Sequence, residues 1–334
     1  MLETIKALCE INAPSGREGA VREYIISKIS SPYTVDAAGN LIVYKEGRQR
    51  AKKKVMFAAH MDEVGIIATG ADAEGFIKFA ATGAIDPKVL LGKRVIFDNG
   101  TYGVAGLKPV HLIDRADRGK MPAIDAMYID IGAKDKAEAE KHVSPGQAGV
   151  FASGFTAFGD HKIKSKALDD RVGCAILLDM INSDLEYGAV FAFTVKEEVG
   201  LIGAAAAAFG VEPDFAVVLE TTTAADIAGV SGEKRVCVLG EGAAVSFMDR
   251  TTVYSPELFR RVFEIAEKKG IKAQPKTVVA GGNDAGPIHK SRAGVPTITL
   301  NTPCRYIHSP SCVADTRDIG ELRKLAEACL YDFI

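Results

Sequence analysis

Five places in the sequence put acids or histidines directly after an apolar run or a tight turn: His60-Met61-Asp62-Glu63, Asp169-Asp170, Glu197-Glu198, Glu220 and His308. Loops at strand ends are where α/β proteins place their functional side chains. One such place would mean little, since a lone histidine after a strand is commonly a structural group and a Glu-Glu pair a solvated face. Glu197-Glu198, however, lies between the apolar run 189–195 and Val199-Gly200-Leu201-Ile202-Gly203, and Glu220 ends the apolar run 215–219. Carboxylates wedged among apolar residues need a cation or a shared proton. With His60 and His308 added, they form a nitrogen and oxygen ligand set suited to borderline divalent metals such as zinc, cobalt or manganese.

The surrounding elements must bring these places together. The opening reads as helix, and Ser15-Gly16-Arg17-Glu18 fits a capping box in which Ser15 caps a helix running to about residue 30. Residues 40–44 and 55–59 read as strands, the second stopping at His60. Short alternating segments punctuated by turns then run to about residue 160, with one helix near 134–142, which predicts a small β-rich module. Strand–helix alternation returns afterwards, with helices at 170–182, 200–209, 255–269 and 316–333, and strands at 189–195, 215–219 and 295–300. The expected fold class is therefore α/β. The simplest arrangement is a discontinuous α/β domain of residues 1–65 and 163–334, its buried mixed sheet flanked by helices, with residues 66–162 as an inserted β-rich domain.

Composition excludes several functions. The chain has 334 residues, 47% hydrophobic and 25% charged, the balance of a soluble protein with a sizeable core. Its formal net charge is −2, so there is no basic field to hold nucleic acid. The triplet Lys52-Lys53-Lys54 reads as the solvated lead-in to a buried strand. The continuous apolar run 199–211 is about thirteen residues and too short to span a bilayer. The charged opening Met1–Lys6 lacks the apolar core of an export signal, and the six scattered cysteines show no CxxC pair. The expectation is a cytoplasmic protein with reduced thiols and no membrane partner.

Four strings occur in order: Ala59-His60-Met61-Asp62-Glu63-Val64-Gly65, Lys166-Ala167-Leu168-Asp169-Asp170-Arg171-Val172-Gly173, Val195-Lys196-Glu197-Glu198-Val199-Gly200 and Arg305-Tyr306-Ile307-His308-Ser309-Pro310. Together they resemble the co-catalytic metalloaminopeptidases of peptidase family M42, the glutamyl aminopeptidase group, some of whose members were once labelled endoglucanases. The resemblance covers essentially the whole chain. It implies two divalent metal ions, zinc or cobalt foremost and manganese as a third choice. Asp169 would bridge them, with His60 and Glu220 completing one site and Glu198 and His308 the other. It further implies that Asp62 hydrogen-bonds His60 and fixes its tautomer. Glu197 would be the general base toward the attacking water. The implied substrates are peptides with a free N-terminus, and the implied assembly is a homo-oligomer, a tetrahedral dodecamer built from dimers, with the inserted domain supplying much of the contact.

The chain departs from the family pattern at Gly281-Gly282-Asn283-Asp284-Ala285-Gly286, where relatives more often carry Thr at the position of Asn283. Asp284 is given no catalytic role here and reads as part of a turn near the site. This segment is no phosphate loop, because no Lys-Ser/Thr follows its last glycine. Cys304 and Cys312 flank His308, but thiolate ligation would compete with the carboxylates. His111, His142, His161 and His289 read as surface residues. Other readings are a metal-dependent deacylase or deacetylase of N-acylated amino acids, a glycosidase, and a non-enzymatic scaffold. A glycosidase needs two carboxylates flanking a sugar without metal, and here histidine-containing motifs claim the same acids.

Overall fold

A computed structural model of the chain describes residues 1–116 and 118–333. Nine strands order as Tyr33–Val35, Leu41–Lys45, Ala189–Thr194, Val55–His60, Phe215–Thr223, Thr297–Arg305, Cys312–Asp315, Lys162–Ser165 and Thr156–Phe158 across the main path of one sheet. The four from Ala189–Thr194 to Thr297–Arg305 are mutually parallel, and the strands flanking them are antiparallel. Parallel strands covered on both faces read as continuous apolar runs, and Val55–His60 and Ala189–Thr194 are buried at every residue. The main core joins these strands to the helices Leu2–Glu10, Leu168–Asn182 and Thr316–Phe333. Among the described residues no helix is long and apolar enough to cross a membrane.

Six further strands close into an antiparallel barrel: Gly65–Ala71, Ile77–Thr82, Tyr128–Asp130, Tyr102–Gly106, Arg94–Phe97 and Ala148–Phe151. It has its own apolar centre around Ile66, Ile77, Phe97 and Ile129. The mixed sheet and the separate barrel match the expected fold class. The strand Thr156–Phe158 already belongs to the large sheet.

Several expected boundaries move. The predicted capping box is not formed: the second helix is Gly19–Ile26, it follows Glu18, and no side chain caps it. Ser15 Oγ donates instead to Asp62 Oδ2 at 2.6 Å, a partner far away in sequence that outcompetes the local N–H groups. Two strands run further than their apolar cores, to Thr223 and Arg305, because ladder pairing carries Glu220 opposite Asn301 and Thr223 opposite Cys304. Asp169 and Asp170 lie at the head of Leu168–Asn182 with non-helical backbone, so both carboxylates leave the helix path. The helix Pro256–Lys269 follows its prediction, with Ser255 accepting from Leu258 N–H, Pro256 in the first turn and Gly270 ending it in the left-handed region.

One glycine is required by close approach. Gly203 opens the helix Ile202–Val211, its N–H donates to Val195 O at 2.9 Å and its carbonyl accepts from Asn40 Nδ2 at 2.8 Å. A Cβ there would collide with the Asn40 side chain and the Val195 backbone. Gly203→Ala is expected to destabilise the protein by about 1–3 kcal/mol in urea unfolding; unchanged stability would show that the turn after Val195 is loosely packed.

Candidate metal centre

The parallel strands end on one side, and every predicted site residue comes from there. His60 is the last residue of Val55–His60, Glu197 and Glu198 follow Ala189–Thr194, Glu220 lies within Phe215–Thr223, and His308 follows Thr297–Arg305. Asp169 projects from the kinked start of Leu168–Asn182. His60 Nε2 lies 3.3 Å from Asp169 Oδ1 and 3.5 Å from Glu220 Oε1. His308 Nε2 lies 3.2 Å from Asp169 Oδ2 and 3.4 Å from Glu198 Oε2. Each oxygen of Asp169 thus faces a different imidazole.

Both rings are oriented from behind. His60 Nδ1 contacts the main-chain carbonyl of Asp62 at 3.1 Å, and His308 Nδ1 contacts that of Ala84 at 2.8 Å. A carbonyl only accepts, so each Nδ1 carries the proton and each Nε2 turns into the cluster. Ala84 follows the barrel strand Ile77–Thr82, so the barrel helps to set His308.

Asp62 is fully buried, and its carboxylate organises the neighbouring turn. Oδ1 accepts from Glu197 N–H at 3.0 Å, and Oδ2 accepts from Glu198 N–H at 3.2 Å and from Ser15 Oγ at 2.6 Å. Its Oδ1 also lies 3.4 Å from His60 Nδ1. Burial opposes the charge, but His60, Ser15 and these amides hold the Asp62 carboxyl below the usual carboxylate range.

The remaining acids behave as a cluster short of positive charge. Burial pushes the Glu198 carboxyl up to about 8, with His308 opposing, and Glu220 up to about 7, with His60 opposing. Burial also pushes Glu197 well above its ordinary range. Burial works against the imidazolium forms too, yet Glu220 and Asp169 raise His60 well above an ordinary histidine, and Asp169 and Glu198 raise His308 to about 10. Asp169, facing both rings, is held low in spite of burial. Glu198 Oε1 and Glu220 Oε2 are buried without a hydrogen-bond partner. Unpaired buried carboxylate atoms beside histidine nitrogens are what a divalent cation satisfies, and the donor set fits such ions.

Two ligand groupings converge within 4.8 Å, His60 with Asp169 and Glu198, and His60 with Asp170 and Glu220. Asp170 competes with Asp169 for the second grouping. Its Oδ1 is taken by Gly173 N–H at 3.0 Å and Thr221 Oγ1 at 3.4 Å, and it does not reach the cleft that Asp169 lines. Asp170 Oδ2 is buried without a hydrogen-bond partner, as are Glu198 Oε1 and Glu220 Oε2, so what separates the two aspartates is that only Asp169 lines the cleft. No cysteine enters either grouping, and Cys304 and Cys312 are buried free thiols. Asp284 is buried behind the cluster, its Oδ2 accepting from Thr194 Oγ1 at 2.5 Å.

A cleft of about 400 Å³ opens on the cluster, and its lining includes Asp169, Glu197, Glu198, Glu220 and His308 together with Thr222, Thr223, Arg250, Thr251 and Lys276. A larger concavity, about 700 Å³ beside residues 44–55, contains no histidine and only Glu46 and Asp214 as acids, so its size carries no chemistry. Lys276 went unnoticed in the sequence, where it sits in an ordinary polar stretch. It is 6% exposed, and its Nζ donates to Ala280 O at 3.1 Å. Among the described residues it has no carboxylate partner.

Residues 39–325 match the model of the family described as M42 glutamyl aminopeptidase, and the chain belongs to that family. The lysyl aminopeptidase of Pyrococcus furiosus is 31% identical over 342 residues, which cover 99% of this chain and 96% of that protein. An aminopeptidase of the archaeon Desulfurococcus kamchatkensis superposes with a TM-score of 0.92 at 34% identity, over 98% of this chain and 93% of that one. The TET1 peptidase of Pyrococcus horikoshii, which can assemble into a tetrahedron or a large octahedral shell, superposes with a TM-score of 0.86 at 35% identity over 98% of each chain.

Because the cluster lacks compensating positive charge, divalent ions should stabilise the folded chain. Adding zinc to chelator-treated protein at about 100 times the dissociation constant should raise stability by about 2.7 kcal/mol, read as a rise in unfolding midpoint. An unmoved midpoint would mean the cluster does not bind the ion.

Proposed function

We propose that the protein is a two-metal aminopeptidase that removes N-terminal residues from peptides. The observation that supports this best is Asp169, whose two oxygens face His60 and His308 separately. Asp169 would bridge two ions, His60 and Glu220 would complete one site, and Glu198 and His308 the other, with zinc or cobalt the best match to the donors. Such ions supply Lewis acidity for the scissile carbonyl and make water acidic near neutral pH.

The chain's own residues do the rest. Glu197 lines the cleft, and among the described residues nothing hydrogen-bonds its carboxylate, so it is free to take the proton from the attacking water and pass it to the leaving amine. Asp62 fixes the backbone of Glu197 and Glu198 together, which lets their side chains take different tasks. Lys276 is the substrate-selecting group in this reading. A buried lysine whose Nζ, among the described residues, donates only to a main-chain carbonyl suits an acidic first side chain of the peptide. The inserted domain of residues 66–162 presents exposed Tyr102 on a barrel strand and exposed Val110 and Leu112 on the turn that follows it, and we read it as a contact surface in a closed homo-oligomer such as the tetrahedron formed by the Pyrococcus horikoshii relative. Six free cysteines are consistent with a cytoplasmic site of action.

A panel of aminoacyl p-nitroanilides, N-acetyl amino acids and cellodextrins, with and without chelator, tests the activity. Chelator-sensitive release from unblocked aminoacyl substrates is expected; cleavage confined to N-acetyl amino acids would select the deacylase reading instead. Within that assay Glu197→Gln should keep both ions while kcat falls by about 10²–10⁴. Glu198→Gln should lose metal and recover part of its activity in excess ion. Reversed behaviour would exchange the two roles.

Lys276→Met should lower kcat/KM for glutamyl p-nitroanilide by about 10–100-fold, the loss of a charged hydrogen bond, and leave leucyl p-nitroanilide within about threefold. An equal loss on both substrates would remove Lys276 from substrate selection.

A further inference from the structure

We infer that the segment between the first two helices, residues 11–18, is a strap that positions the turn bearing Glu197 and Glu198, with Glu18 and Ser15 as its positioning residues; this rests on the aminopeptidase reading only for the activity measured. Glu18 is 4% exposed, and its Oε1 accepts from Gly16 N–H at 2.8 Å and from Lys196 N–H at 3.0 Å. Lys196 has φ +57°, a left-handed conformation that a side chain-bearing residue keeps only when its surroundings impose it. It immediately precedes Glu197. Ser15 grips the same turn by a second route, through Asp62, which accepts the Glu197 and Glu198 amides.

The strap is itself anchored to the loop that carries Asp169. Arg171, fully buried, donates to the carbonyls of Leu8, Ile11 and Ala13, and Lys166 Nζ donates to Ile11 O at 3.4 Å. Glu63, one residue after Asp62, closes the circuit: its Oε1 accepts from Ala13 N–H at 3.1 Å and from Lys166 Nζ at 2.7 Å. One short segment therefore touches the loops of His60, Asp169 and Glu197. Neither Ser15 nor Glu18 lines the cleft, so neither touches substrate, and their influence passes through the backbone of Lys196 and the carboxylate of Asp62.

The test compares Glu18→Ala with Glu18→Gln, whose amide oxygen can still accept both N–H groups. Steady-state kinetics on an unblocked aminoacyl p-nitroanilide are combined with residue-resolved amide hydrogen exchange on the full chain. In Glu18→Ala, kcat should fall by about 10–100-fold, the cost of a misplaced group, with KM within about threefold. The Lys196 and Glu197 amides should lose protection while those of Val55–His60 keep theirs. Glu18→Gln should restore both readouts to within about threefold of wild type. Unchanged kcat in Glu18→Ala, exchange that rises equally across the sheet, or a Gln variant as impaired as the Ala variant would each overturn the strap's positioning role. Wild-type protein inactive on every unblocked substrate would overturn the aminopeptidase reading, while the exchange pattern would still decide whether the strap holds the turn.

Discussion

The site depends on a buried charge that must be satisfied. Asp62 is inaccessible to water, and its carboxylate can stay ionised only if donors surround it. Those donors are Ser15 Oγ and the amides of Glu197 and Glu198, with the His60 ring alongside. Meeting this one requirement draws the strap, the end of Val55–His60 and the turn after Ala189–Thr194 to a common point. The two glutamates then cannot drift apart from the imidazole they work beside.

Parallel pairing supplies the second half of the arrangement. Four adjacent strands run the same way, so their C-terminal ends gather histidines and acids from positions as distant in sequence as His60 and His308. That convergence is unfavourable without compensation, because several carboxylates share one dry pocket with two imidazoles. Raised proton affinities at Glu198, Glu220 and His308 and the partnerless oxygens of Glu198 and Glu220 express the same deficit in different ways. Divalent cations between these groups would relieve it, and the barrel contributes by holding His308 through Ala84 O.

Much of this was legible in the sequence where burial is continuous. The run before His60 is apolar throughout and the one before Glu197 nearly so, broken by Thr194 and Lys196, and those are the strands whose ends carry chemistry. Ser15 misled because a capping box and a long-range hydrogen bond to Asp62 use the same residue types, and only tertiary structure chooses between them. Glu220 was legible as an acid after an apolar run, but not as an inward-facing residue of a strand that continues to Thr223. Asp169 and Asp170 are adjacent and chemically identical, so residue types alone could not say which faces the cleft; the backbone bend at the helix start separates them. Lys276 had no local signal, because the acids with which it lines the cleft, Asp169, Glu197, Glu198 and Glu220, all lie more than fifty residues earlier in sequence.

The central claim is that Asp169 joins two cation sites, one shared with His60 and Glu220 and the other with Glu198 and His308. Diffraction from crystals loaded with zinc, collected on both sides of its absorption edge, measures this directly. Two anomalous peaks per chain are expected, each in contact with a different oxygen of Asp169. A single peak, or peaks that leave Asp169 untouched and engage Asp170 or a cysteine instead, would contradict it.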